Sequence, residues 1–189
     1  MKQSLFTMEH ARQLTADTYE LVLSGDTSAI TAPGQFVNIQ LPGKFLRRPI
    51  SICTWTKDAL LLLVRVVGEG THDLVRCVPG TELDVLSGLG NGFDLAKGGA
   101  HPILLGGGIG IAPLYGLAQR MLEAGIAPTV GLGFRSGGDA FYLEEFGKLG
   151  CRLMVATEDG SLGTKGFVTD LARHVPECGY AFVCGPTPM

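Results

Sequence analysis

Residues 102–123, PILLGGGIGIAPLYGLAQRMLE, spell out a strand, a glycine-rich bend and a helix. Pro102 to Leu105 is a short apolar run of strand length. From Ile111 to Glu123 the apolar residues fall at 111, 114, 115, 117, 118, 121 and 122, a helical stripe. Pro113 lies in the first turn, where a missing N–H costs nothing, and Gly125 follows as a stop signal. Between strand and helix stand Gly106, Gly107, Gly108 and Gly110. Glycine suits a chain that turns sharply, lets a pyrophosphate approach its backbone and aims helix N–H groups at negative charge. Gly106-x-Gly108-x-x-Ile111 matches only part of the G-x-G-x-x-G/A fingerprint, and Val130 to Arg135 occupy the region where an acidic residue is usual. A nucleotide loop of another kind is favoured, with a plain strand-to-helix turn as the alternative.

The alternation continues downstream. Strand 128–134, helix 141–149, strand 152–157, helix 167–174 and strand 180–184 follow, and alternating strands and helices predict a parallel sheet. Upstream the period changes. Ser4–Arg12, Tyr19–Leu23, Gln35–Leu41, Phe45–Thr54, Ala59–Val67 and Glu82–Leu86 read as short strands separated by turn residues, with one helical piece at Thr71–Cys77. Short strands at this spacing predict a sandwich or barrel. The boundary is expected near Lys97-Gly98-Gly99-Ala100, dividing the chain into 1–98 and 99–189.

Composition narrows the class. Charged residues are 17%, against about a quarter in typical domains. Mean hydropathy is positive, which excludes disorder. Lys and Arg number 15 against 18 Asp and Glu, which excludes a basic nucleic-acid surface. So low a charge content suggests a surface covered by a partner. The longest unbroken apolar run, Ala59 to Val64, is strand-sized, so no membrane helix is expected. The opening residues, MKQSLFTMEHARQ, hold no apolar stretch of the secretory type. The five cysteines, 53, 77, 151, 178 and 184, match neither C-x-x-C nor a zinc pattern. Reduced thiols and a cytoplasmic protein are expected, without a metal site, since the four scattered histidines offer no ligand pair.

Three further stretches carry chemistry. Leu46-Arg47-Arg48-Pro49-Ile50-Ser51-Ile52 puts two arginines in an apolar strand. Either they form a fork for phosphate with a serine donor nearby, or they are solvated at a strand end. Gly68-Glu69-Gly70-Thr71 leads from a strand into the helical piece, as a second phosphate loop or an ordinary turn. Cys184-Gly185-Pro186 ends a parallel strand at the edge where α/β sheets bind ligands, and the thiol is either a neighbour of a bound ring or plain packing.

Taken in order, Arg48-Pro49-Ile50-Ser51, Gly68-x-Gly70-Thr71, Gly106-Gly107-Gly108-x-Gly110-x-x-Pro113 and Cys184-Gly185-Pro186-x-x-Met189 resemble the ferredoxin-reductase superfamily across essentially the whole chain. Gly88-Leu89-Gly90-Asn91-Gly92-Phe93, Gly133-Phe134-Arg135-Ser136 and Thr157-Glu158-Asp159-Gly160-Ser161 look like the electron-transfer subunits of class 1B dihydroorotate dehydrogenases.

The resemblance implies an N-terminal antiparallel flavin-binding β-barrel followed by a parallel-sheet α/β nicotinamide-nucleotide domain, incomplete at its C-terminus. It implies FAD held by Arg48, Pro49, Ile50 and Ser51, with Arg48 on the phosphates and Ser51 near the isoalloxazine. Leu63, Val64 and Arg65 would line the flavin and adenylate side, and Gly70 and Thr71 would cradle the pyrophosphate. NAD would lie on Gly107, Gly108, Gly110, Ile111, Ala112 and Pro113, with Glu158 and Asp159 at the mouth. Arg135 and Ser136 leave NADP open. Cys184 would be the catalytic neighbour of nicotinamide and flavin N5. Residues after Gly90 would approach the partner, an FMN-containing dihydroorotate dehydrogenase catalytic subunit, in a heterotetramer. The family also carries a [2Fe–2S] cluster on four closely spaced cysteines. None of the five here has that spacing, so the cluster is expected only in a segment beyond Met189, or the chain is a variant without it. The expected activity is electron transfer from dihydroorotate oxidation to NAD+ in pyrimidine biosynthesis. A stand-alone NAD(P)H:flavin or oxygenase reductase and a non-catalytic flavin-binding subunit stand as alternatives.

Overall fold

Alternating apolar and polar residues along a strand send every second side chain to the same side, and enough such strands close around a common interior. This happens in the first unit, Met1–Phe93 of the computed structural model, which describes residues 1–186. Its strands are β1 (Lys2–Gln13), β2 (Thr18–Gly25), β3 (Phe36–Gln40), β4 (Arg48–Trp55), β5 (Ala59–Arg65) and β6 (Glu82–Leu89). They pair antiparallel in the order β1-β2-β5-β4-β3-β6, and β6 pairs back onto β1 to close a barrel. Met8, Leu21, Leu23, Val37, Ile39, Ile52, Leu60, Leu62 and Val85 fill it. Helix α1 (Glu69–Val75), inserted between β5 and β6, sends Leu74 and Val75 into the same core.

The second unit, from Asp94 onward, follows the other period. β7 (Pro102–Gly107), α2 (Ile111–Glu123), β8 (Thr129–Phe134), α3 (Leu143–Lys148), β9 (Arg152–Thr157), β10 (Thr164–Lys165) and β11 (Tyr180–Cys184) build a parallel sheet in the order β10-β9-β8-β7-β11. One face carries α2, whose Ile111 and Leu114 lie over Gly106. The other carries Val168, Leu171 and Val175, packed with Ile103 and Leu105. The chain leaves β7 for β8 and β9 on one side, then returns to β11 on the other. The strand order therefore reverses between β7 and β11, where open α/β sheets bind ligands.

The fold class expected from the sequence is the one observed, a barrel followed by an α/β sheet. Three local expectations need correction. The strand expected from Phe45 begins at Arg48, because the last β3 partner in the ladder is Ile39, opposite Arg48. Lys44 ties the preceding loop to Glu69 and Asp73 of α1 instead. The helix expected over 167–174 is the 3-10 helix Val168–His174, whose i→i+3 bonds eclipse side chains three apart and so align Val168 with Leu171 against the sheet. Gly106 and Gly107, read as part of the loop, belong to β7. The short β10 carries no apolar run from which it could be read. Met189, which closes the Cys184 motif, and the helix expected to start after Cys184-Gly185-Pro186 lie outside the described residues.

The close approach of the 3-10 helix rests on glycines in β8. A Cβ on Gly133 would stand 2.6 Å from Val168 Cβ, and one on Gly131 would stand 3.2 Å from Leu171 Cδ1. Gly133→Ala should therefore destabilise the protein by about 1–3 kcal/mol through overpacking. Urea denaturation measures this, and an unchanged or raised midpoint would contradict the packing described.

Candidate functional site

In the barrel unit the two neighbouring arginines have different environments. Arg47 Nη2 donates to Asp84 Oδ2 at 2.8 Å and its Nη1 to the Asp84 carbonyl at 3.0 Å, tying the start of β4 to β6. The Arg47 bond holds the Asp84 carboxyl below its ordinary range. Arg48 alternates to the other side of β4. Its guanidinium lies over α1, where a Cβ on Gly70 would stand 1.9 Å from Arg48 Nε and 2.6 Å from Cζ. Only glycine leaves room there. Arg48 Nη1 donates to the Leu46 carbonyl at 2.6 Å, and Arg48 forms no ion pair among the described residues. It remains a cation at the head of a helix.

Thr71 shapes the loop beneath it. Its hydroxyl accepts from the backbone N–H of Val67 at 2.9 Å and of Gly68 at 3.3 Å, and donates to the Gly68 carbonyl at 3.0 Å. That hydroxyl is fully engaged within the loop. Pro49 and Ser51 are exposed while Ile50 and Ile52 turn inward, so Ser51 lies on the opposite side of β4 from Arg48. Leu63 and Val64 are buried, Val64 within the barrel core, and both pair with β2. Arg65 Nε donates to Asp17 Oδ2 at 2.8 Å. Partial burial opposes ionisation of Asp17, but its bonds from Arg65 and Thr18 hold the carboxyl below its ordinary range. The structure thus brings together Arg48, Gly70 and Thr71, and sets Ser51 and Arg65 on other surfaces of the same two strands.

In the second unit the carboxyl ends of the strands line up. Gly106 is level with Cys184, Gly107 with Gly133, and Phe134 with Thr157. The bend crosses this edge as a 3-10 turn, Gly108–Gly110, that feeds α2. A Cβ on Gly110 would stand 2.2 Å from the carbonyl oxygen of Cys184 and 2.7 Å from Gly185 Cα, so the two motifs meet backbone to backbone. Gly108 has φ +52 and open space where a side chain would stand. Ile111, Ala112 and Pro113 are buried, and Gly110 offers no side-chain cap. The Ile111 N–H is taken by the Gly108 carbonyl inside that turn, so the N–H groups left without an intrahelical partner are those of the turn itself. Cys184 is half-buried, and burial pushes its thiol up, so it is a neutral S–H at ordinary pH.

The loops after β8 and β9 form one rim. Glu158 N–H donates to the Phe134 carbonyl at 3.1 Å and Asp159 N–H to that of Arg135 at 3.2 Å. Ser161 Oγ accepts from Gly137 N–H at 2.7 Å and donates to Asp159 Oδ1 at 2.6 Å. The hydroxyl and the N–H of Ser161 together lower the Asp159 pKa. Glu158 and Asp159 are exposed on this rim. Asp139 was missed in the sequence. It accepts from Ser136 Oγ at 2.8 Å. Counting residues from the glycine bend passes it by, whereas counting from the end of the second strand finds it on the next turn.

No model of a protein family matches the chain. The electron transfer subunit of dihydroorotate dehydrogenase B (NAD(+)) from Listeria monocytogenes is 40% identical over 197 residues, covering all of this chain and 77% of that protein. The same subunit from Shouchella clausii is 42% identical and covered to 76%, and that from Fusobacterium nucleatum is 40% identical and covered to 78%. Among solved structures, an NADH-dependent reduced ferredoxin-NADP oxidoreductase superposes with TM-score 0.87 at 31% identity, over 97% of this chain and 68% of that one. An Amycolatopsis cytochrome P450 reductase gives TM-score 0.84 at 23% identity, over 98% and 62%, a likeness of fold alone. With identity of this order over its whole length and over three quarters of each relative, this chain belongs to the family of dihydroorotate dehydrogenase B (NAD(+)) electron transfer subunits.

Proposed function

We propose that this chain holds FAD on its barrel, takes NAD at the carboxyl edge of its parallel sheet, and passes to NAD+ the electrons that a partner subunit removes from dihydroorotate in pyrimidine biosynthesis. The observation that carries the flavin half is the Arg48 guanidinium lying on Gly70 at the head of α1, without a carboxylate to neutralise it. A planar fork beside open backbone N–H groups suits a diphosphate. The missing Cβ at Gly70 fits that group, since any side chain would displace the fork. Thr71 holds the loop in shape, and Ser51 offers an exposed hydroxyl to the flavin ring. Pro49 and Ile50 fix the strand between them, and the backbone of Leu63, Val64 and Arg65 lines the adjoining strand.

On the sheet, the bend from Gly107 through Gly108 and Gly110 to Ile111, Ala112 and Pro113 offers N–H groups and a helix start to the NAD pyrophosphate. Glu158 and Asp159 frame the mouth. Cys184, held against Gly110, presents a neutral thiol to the nicotinamide. When bound, FAD supplies the exchange of electrons with NAD, and the residues here orient the cofactors and tune them. The partner we assign is an FMN-containing catalytic subunit in a heterotetramer, with the [2Fe–2S] relay in a segment beyond Met189. The wide spacing of the five cysteines in this chain supports that placement. Free thiols at all five are compatible with a cytoplasmic site of action.

Purified protein should release FAD on denaturation, identified by chromatography against FMN. Release of FMN, or a protein that takes up no flavin, would contradict the proposal. Arg48→Ala should weaken FAD retention by about tenfold or more, the worth of a charge-assisted bond, and unchanged flavin content would return Arg48 to a structural role.

The neutral Cys184 thiol has its own signature. Its alkylation by iodoacetamide, followed by peptide mass spectrometry, should rise with pH along a curve whose midpoint lies above the free-thiol value of about 8.5. A midpoint at or below that value would contradict the burial described.

A further inference from the structure

At the ends of β8 and β9, the groups best suited to hold a phosphate already face a carboxylate. Ser136 Oγ donates to Asp139 Oδ2 at 2.8 Å, and Arg135 Nη2 stands 3.9 Å from Asp139 Oδ1. The turn that carries Asp139 is fixed at both ends. Asp139 N–H donates to the Ser136 carbonyl at 3.1 Å, and Gly137 N–H is held by Ser161 Oγ at 2.7 Å. Glu158 and Asp159 join Asp139 on this rim, through backbone bonds to Phe134 and Arg135. The cations are Arg135 and Lys165, whose side chain lies along Gly160. Three carboxylates against two cations make the rim a poor place for a further dianion.

The position gives this arrangement a meaning. In a dinucleotide site the end of the strand next to the glycine bend meets the adenosine ribose. There a carboxylate accepts from a 2′-hydroxyl, whereas a free arginine accommodates a 2′-phosphate. The acidic residue missing from 130–135 in the sequence is supplied by Asp139, five residues past the end of β8.

We propose that Asp139 selects NAD over NADP, by accepting from the ribose 2′-hydroxyl and by occupying Arg135 and Ser136 so that a 2′-phosphate meets a carboxylate in place of a fork. The inference rests on the sheet edge being the nucleotide site. With an amide in place of the Asp139 carboxylate, Arg135 and Ser136 are released and the edge becomes receptive to phosphate.

Calorimetric titration of the full chain with NAD+ and with NADP+ tests this directly, without turnover. The wild-type protein should bind NADP+ at least about tenfold more weakly than NAD+. Asp139→Asn should tighten NADP+ by about tenfold and weaken NAD+ by a smaller factor. Adding Arg135→Ala to that variant should remove most of the gain, since Arg135 is the group set free. Asp139→Ser is a second variant at this partly buried position, expected to shift the preference in the same direction. An unchanged NAD+/NADP+ ratio in these variants, with NAD+ binding retained, would overturn the role of Asp139. Failure of the wild-type protein to bind either nucleotide would instead overturn the nucleotide reading of the edge, and the inference with it.

Discussion

A β-carbon on Gly110 would stand 2.2 Å from the carbonyl oxygen of Cys184, closer than any packed atom can sit. That contact closes the bend after β7 onto the end of β11, where the strand order reverses. The nucleotide bend proposed for the second unit follows from it. The bend can reach the neighbouring strand only because it has no side chain, and the start of α2 is thereby fixed over the carboxyl edge. The barrel uses the same device once more, at Gly70, where the missing side chain lets Arg48 lie on the first turn of α1. In both units a backbone stripped of its Cβ brings positive or hydrogen-donating groups to one point, which is what a diphosphate requires.

The rest of the molecule holds these two points still. Around the bend the helix residues Ile111, Ala112, Pro113 and Leu114 are buried, so α2 cannot shift without opening the sheet. Around Arg48, Leu74 and Val75 anchor α1 in the barrel core, while Lys44 bridges Glu69 and Asp73 from the loop before β4. Arg47 secures the other side of that loop through Asp84. Neighbouring arginines therefore divide two tasks: one builds the barrel, and the other is left charged beside a helix start.

The periodic features were legible in the sequence. Strand alternation, the stripe of α2 and the glycine bend each follow from local rules that tertiary contacts reinforce. What could not be read depends on distance in space rather than in sequence. The division between Arg47 and Arg48 is set by Asp84, far along the chain. The packing of the 3-10 helix Val168–His174 onto the glycine-bearing face of β8 likewise joins residues far apart in the chain. Asp139 was hidden because the fingerprint counts residues, whereas the site counts strand ends. In the sequence Ser51 reads as a hydroxyl donor and Thr71 as part of a second phosphate loop. The structure separates them, since Thr71 holds its own loop and Ser51 faces outward.

The central claim is that one chain carries both a flavin site and a nicotinamide site in electronic communication. The most direct measurement is an anaerobic titration of the purified, flavin-loaded protein with NADH, followed by visible absorption. The account predicts bleaching of the oxidised flavin band, complete near one equivalent of NADH per flavin and reversed by an electron acceptor. A flavin band that persists in excess NADH would contradict it.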